Sequence, residues 1–168
     1  TSVFRDIYKQ YVQRMENSRL IDFEDMLVYT WELFTQRKDI LAAWQHKFQY
    51  ILIDEFQDIN LLQYKLIRML ALPQNNIFIV GDDDQSIYGF RGARPEIMLN
   101  FEKDFSDVKK VFLSVNYRSQ AAIVRGAGCV IKNNKQRFDK QIQAVRPEEE
   151  PVDIRVFKGP ADENAAVI

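Results

Sequence analysis

The stretch Tyr50-Ile51-Leu52-Ile53-Asp54-Glu55-Phe56-Gln57-Asp58 decides how this chain is read. An uninterrupted run of β-prone apolar residues stops at two adjacent carboxylates. A second run, Ile77-Phe78-Ile79-Val80, closes the same way, through Gly81 onto Asp82, Asp83 and Asp84. Short continuous apolar runs are the pattern of parallel strands buried on both faces. Between them Leu61 to Leu72 is amphipathic at helical spacing, with Asn60 placed to cap it and Pro73 just past its end. Strand, helix, strand predicts the crossover unit of an α/β fold.

Upstream, Phe4, Ile7, Tyr8, Tyr11, Val12 and Met15 recur at spacings of three and four, which predicts a helix over Val3 to Met15. Asp22 is placed to cap a second helix carrying Phe23, Met26, Leu27, Thr30 and Phe34 on one face. A third short helix is expected over Asp39 to His46. Downstream, Val111 to Val115 reads as a third strand, followed by Ser119 capping a helix with Ile123, Ala127, Val130 and Ile131 on one side. After Arg137 the composition turns polar. Arg146-Pro147-Glu148-Glu149-Glu150-Pro151 reads as a solvated loop, Val152 to Phe157 alternates like a new strand, and a boundary is expected near residue 140.

The 168 residues, 46% hydrophobic, suffice for one core of ordinary domain size. Basic and acidic residues number 23 and 24, so any nucleic-acid surface must be local rather than spread over a basic domain. The apolar runs are far too short to span a bilayer and no signal segment precedes them, so a soluble, cytoplasmic protein is expected. Cys129 has no partner for a disulfide and, between Gly128 and Val130, is expected as a small buried residue in a reducing compartment. His46 has no cysteine or second histidine near it and reads as a surface or packing residue. The chain opens at Thr1 in mid-helical pattern and reads as an excerpt.

In an open α/β sheet the ligand crevice lies off the carboxyl ends of the strands, where Asp54-Glu55 and Asp82-Asp83-Asp84 are expected to meet. Five like charges there call for a cation or a polar network, and magnesium carrying a nucleotide fits. The plainer alternative is that they are solvent-facing loop residues. An apolar strand delivering Asp-Glu at its tip is also the layout of a Walker B site, in which the first carboxylate holds magnesium and the second polarises the attacking water. From Val80 the chain continues to Ala93 through Gly81, Gly89 and Gly92, which permit tight turns and close approach. Gln85 is an amide able to donate to a phosphate oxygen and accept from water. Tyr88, Phe90 and Arg91 set two rings beside a cation, which is how single strands of nucleic acid are held; the alternative is two core aromatics and a surface charge. In Asn116-Tyr117-Arg118-Ser119, Tyr117 offers a stacking ring and Arg118 a fork that matches phosphate oxygens, against the alternative of an ordinary surface pair.

Taken in order, Asp54-Glu55-Phe56-Gln57-Asp58, Gly81 to Ala93, and Leu113 with Asn116-Tyr117-Arg118-Ser119 resemble the motifs of superfamily 1 DNA helicases of the UvrD/Rep/PcrA group. Ile21 to Leu27 and Ala161 to Ala165 resemble further segments of that family, so the likeness spans nearly the whole chain. The resemblance implies part of a RecA-like motor domain, a parallel sheet flanked by helices with an α-helical N-terminal segment. Residues 1–20 would belong to an inserted helical subdomain, 21–140 to the first motor domain, and 141–168 to a linker and the start of a second. It implies ATP and Mg2+ as cofactors, single-stranded DNA, duplex junctions and the rest of a helicase chain as partners, and 3′ to 5′ translocation in repair or replication.

By the same resemblance Glu55, Gln85 and Arg118 would be catalytic. Asp54 would ligate magnesium, Glu55 would be the general base, and Gln85 would couple the γ-phosphate to the DNA-facing loop. Tyr117 would stack on adenine, Arg118 would reach the γ-phosphate, and Tyr88, Phe90 and Arg91 would contact DNA. Phe90 stands where the family usually has Trp, which leaves a smaller ring to stack. The chain contains no Gly-Lys-Thr or Gly-Lys-Ser, the signature of the phosphate-wrapping loop. This segment alone is therefore expected neither to hydrolyse ATP appreciably nor to unwind DNA. Two other readings remain: a non-catalytic single-stranded-DNA-binding module, which the Asp54-Glu55 pair argues against, and the motor part of a helicase–nuclease.

Overall fold

The computed structural model describes residues 2–147 and 151–167. They form two compact units, one running through Val108 and the other beginning at Lys109.

The first unit opens with helices α1 (Ser2–Ser18), α2 (Phe23–Gln36) and α3 (Lys38–Lys47), then strand β1 (Ile51–Ile53), helix α4 (Leu61–Ala71) and strand β2 (Ile77–Ile79). Short helices α5 (Pro95–Leu99) and α6 (Phe101–Asp104) complete it. β1 and β2 pair in parallel, Ile51 beside Ile77, Leu52 beside Phe78 and Ile53 beside Ile79, as the strand-helix-strand pattern predicts. Both expected caps form. The Asp25 N–H donates to Asp22 Oδ1 at 2.9 Å and the Asp22 N–H to Asp25 Oδ2 at 3.1 Å. Asn60 and Gln63 make the same reciprocal pair at the head of α4, so two donors without helical partners are satisfied at each start. The Tyr11 hydroxyl also donates to Asp22, at 2.8 Å. Together these donors, the Asp25 N–H first, hold the Asp22 carboxyl below the usual carboxylate range.

The core gathers on one face of the two strands. Phe56, Ile59, Tyr64 and Phe101 are buried against Ile53, Ile77 and Ile79. Phe56 is fully buried and meets Tyr64 and Phe101 edge to face, with centroids 6.2 and 5.6 Å apart. Tyr64 donates to Asp104 Oδ2 at 2.6 Å, and burial, with that bond, pushes its phenol well above the usual range. A second cluster, Phe34, Leu41 and Leu66, joins α2, α3 and α4.

The strands are not buried on both sides. Leu52 and Phe78, adjacent across the ladder, are 72% and 60% exposed. Alternate strand residues point to opposite faces, and in this unit the core covers only one. The apolar stripe of α1 is likewise open at Phe4, Ile7, Tyr8 and Tyr11.

The second unit contains strand β3 (Val115–Gln120), helix α7 (Ala121–Ile131), strand β4 (Gln143–Arg146) and helix α8 (Pro160–Val167). β3 and β4 pair in parallel from Val115 opposite Gln143. The third strand thus begins where the apolar run Val111–Val115 was expected to end, because its pairing partner starts only at Gln143. Ser119 lies within β3 and does not cap α7; Gln120 precedes the helix without a side-chain cap bond. Only Ala122 of α7 is buried, so Ile123, Val130 and Cys129 stay exposed, and Cys129 is not the core residue expected. Val152 to Phe157 forms no strand: its alternation finds no partner among the described residues, and Ile154 and Val156 are exposed. The acidic residues Glu148, Glu149 and Glu150 of the expected loop lie outside the described residues. His46, as expected, is on the surface, and no described helix is long and apolar enough to cross a membrane.

Candidate functional site

The first unit brings the two acidic strand ends together. The Val80 N–H donates to the Ile53 carbonyl at 2.8 Å and the Phe56 N–H to the Val80 carbonyl at 2.9 Å, so the ladder continues past both strands into the segments that follow. At the tip of β1 the Asp54 carboxylate is exposed and its Oδ1 accepts the Glu55 N–H at 2.9 Å. Glu55 takes up the left-handed conformation, φ 51 and ψ 40, which costs a residue with a Cβ roughly 1–2 kcal/mol. The chain then enters a single 3-10 turn, Phe56–Asp58, that drops Phe56 into the core while leaving Glu55 on the surface.

Gln57 joins this turn to the next loop. It is 1% exposed. Its Nε2 donates to Glu55 Oε2 at 2.8 Å and its Oε1 accepts the Asp82 N–H at 3.0 Å. Its carbonyl accepts the Ser86 hydroxyl at 3.1 Å. Asp82 accepts in turn from the Asp84 N–H at 3.1 Å and from Gln85 Nε2 at 2.8 Å. Glu55, Gln57, Asp82 and Gln85 form one hydrogen-bonded series across the two strand ends. Sequence reading gave Gln57 no role; the available signal was an amide set between an aromatic and an acid immediately beyond a strand tip.

Gly81 serves clearance rather than turning. A Cβ there would lie 2.5 Å from Gln57 Oε1 and 3.1 Å from the Phe56 nitrogen. Of the glycines expected to turn the loop, Gly92 alone has a positive φ, 82°.

Carboxylate oxygens of Asp82, Asp83 and Asp84 gather within 4.8 Å of one another, with Asp83 buried. Asp54 stands outside that group but offers an exposed hard oxygen donor of the kind magnesium takes.

Farther along the loop, Arg91 lies over both Tyr88 and Phe90, 5.3 and 5.5 Å from their centroids. The rings are 5.8 Å apart. Phe90 is 79% exposed and Tyr88 39%, so this pair is a surface feature with a cation on it, not core. In the second unit Tyr117 and Arg118 lie on β3, both exposed. Asn116 Oδ1 accepts the Arg118 and Ser119 N–H groups at 3.0 and 2.8 Å and shapes that strand locally.

Parallel strands ending in carboxylates, with a polar loop latched across them, define the α/β class whose ligands bind beyond the strand ends. The model of the UvrD/REP helicase N-terminal domain matches residues 1–106, and the chain belongs to the UvrD/REP helicase family, whose N-terminal domain is RecA-like. YjcD of Bacillus subtilis, which carries a helicase name, is 45% identical over 157 residues, 94% of this chain and 20% of that protein. DNA helicase II of Rickettsia typhi is 48% identical over 136 residues, 81% of this chain and 21% of its own. ATP-dependent DNA helicase PcrA of Staphylococcus aureus is 43% identical over 134 residues, 80% of this chain and 18% of its own. The chain therefore spans about a fifth of the length of these relatives.

Proposed function

We propose that this chain carries the middle of the ATPase site and part of the DNA-contacting surface of an ATP-dependent DNA helicase. The observation that carries the reading is the hydrogen-bonded series that ties the Glu55 carboxylate to the Gln85 amide across two strand ends. Phosphoryl transfer depends on positioning and on charge stabilisation more than on covalent chemistry, and that series is a positioning device. Glu55 orients and deprotonates the attacking water. Gln85 donates to the γ-phosphate and relays its presence to the loop bearing Tyr88, Phe90 and Arg91, on which single-stranded DNA stacks. Asp54 would hold magnesium, and the ion, when bound with ATP, neutralises charge on the phosphates. Tyr117 stacks on adenine and Arg118 reaches the γ-phosphate.

Translocation in the 3′ to 5′ direction, a role in repair or replication at duplex junctions, and the division into segments 1–20, 21–140 and 141–168 belong to the same proposal. The missing Gly-Lys-Thr or Gly-Lys-Ser leaves this segment inactive by itself. The test is single-stranded-DNA-stimulated ATP hydrolysis by the protein extended to its natural ends, comparing the parent with Glu55→Gln. We expect stimulation in the parent and loss of turnover, with nucleotide binding retained, in the variant. DNA binding without turnover in either protein would replace the motor with a non-catalytic binding module.

A further inference from the structure

We infer that Gln57 is a positioning residue, which sets the Glu55 carboxylate and yokes it to the loop carrying Gln85; the inference rests on the reading of Glu55 as the base. Gln57 is the largest fully buried polar side chain among the described residues. A buried amide has to satisfy both its ends, and here each end has a partner that only that end can serve. Glu55 Oε2, 2.8 Å from Nε2, is a carboxylate oxygen that accepts and cannot donate. The Asp82 N–H, 3.0 Å from Oε1, donates and cannot accept. Flipping the amide would set oxygen against oxygen and N–H against N–H, so its orientation is fixed by what it joins.

No other side chain of this length does both jobs. Glutamate would accept from Asp82 but present a like charge to Glu55. Methionine would fill the volume and leave the Asp82 N–H without its acceptor. Gly81 keeps the space open, since a Cβ there would come within 2.5 Å of Gln57 Oε1. The Ser86 hydroxyl fastens the same loop to the Gln57 carbonyl at 3.1 Å.

Glu55 itself takes up the left-handed conformation, and among the described residues Gln57 is the hydrogen-bond partner of its carboxylate. A carboxylate free to rotate would hold the attacking water in line only part of the time, and misplacement of a catalytic group by about 1 Å can cost 10²-fold in rate. Asp82 extends the linkage, since its carboxylate holds Gln85 Nε2 at 2.8 Å. The base and the phosphate-sensing amide thus share one hydrogen-bonded connection that runs through Gln57.

The test uses the protein extended to its natural ends, with steady-state ATP hydrolysis at saturating single-stranded DNA. Gln57→Glu retains an acceptor for the Asp82 N–H, but it removes the donor to Glu55 and sets a like charge against that carboxylate. Its kcat should fall about 10- to 100-fold while KM for ATP and DNA affinity stay within about threefold of the parent, a split that a merely structural role would not produce. A kcat within about threefold of the parent, or a loss confined to KM, would overturn the inference. Should Gln57→Glu fail to fold, Gly81→Ala, which displaces the amide without changing its chemistry, is read by the same split. Glu55→Gln is measured alongside. If it abolishes turnover while Gln57→Glu and Gly81→Ala behave as the parent, the positioning role alone is wrong. If Glu55→Gln turns over as the parent does, the assignment of the base falls and the positioning role with it.

Discussion

Phe56 sits between the two residues that matter most at the strand tip and anchors both. It is fully buried, and its ring meets Tyr64 at 78° and Phe101 at 87°, both edge contacts within 6.2 Å. Each such pair contributes about 0.5–1.5 kcal/mol beyond area burial. Phe56→Leu keeps an apolar side chain but loses both pairs, so it should cost about 2 kcal/mol. Phe56→Ala adds a cavity and should cost about 3–5 kcal/mol. With a urea slope of about 1–3 kcal/mol per molar, the leucine variant shifts the unfolding midpoint of this chain by about 1 M. Leu52, on the open face of the same small sheet and 72% exposed, is the control: Leu52→Ser should stay within about 0.5 kcal/mol. An unchanged midpoint for Phe56→Leu, or an equal loss for Leu52→Ser, would refute the placement of the core on one face of β1 and β2.

Three further outcomes are expected. In fluorescence anisotropy with a labelled single strand, Phe90→Ala should lose about 1–3 kcal/mol of binding by removing a stacking ring, and Arg91→Ala should lower the salt slope by about 0.7 for one phosphate contact; an unchanged slope would remove Arg91 from the backbone contacts. The Asp22 carboxyl is depressed by the Asp25 N–H and the Tyr11 hydroxyl, so its contribution to stability is present above the unfolded carboxylate range near about pH 4 and is lost as pH falls through its lower folded value. Asp22→Asn should reduce the loss of helical circular dichroism between about pH 4 and 2, and an acid transition identical to the parent's would show that this cap does not titrate with the fold.

The legible parts of the fold were those that local chemistry dictates. Asn60 and Asp22 announce helix starts because an orphaned backbone N–H needs a short polar acceptor, and both make that bond. The switch from a helical stripe to Ile51-Leu52-Ile53 and Ile77-Phe78-Ile79 located the parallel pair. The misreadings concern partners distant in sequence. Apolar character sent Leu52 and Phe78 to a two-sided core, but whether a second face is covered depends on other chain, and this one spans about a fifth of its relatives' length. Val111 to Ser114 have strand-forming composition, yet the ladder follows the position of Gln143. The site divides in the same way. Asp54, Glu55 and Gln85 are conspicuous because an apolar strand that delivers Asp-Glu at its tip, with an amide just past the second acidic strand end, is the pattern of a phosphoryl-transfer site. Gln57 was not, because a buried glutamine looks like any polar residue until its two partners are known. Gly81 was legible as a position of close approach, but what approaches it is Gln57 rather than a ligand: it stands where a Cβ would strike Gln57 Oε1, so its small size, rather than its freedom to turn, keeps the connection between Glu55 and Asp82 intact.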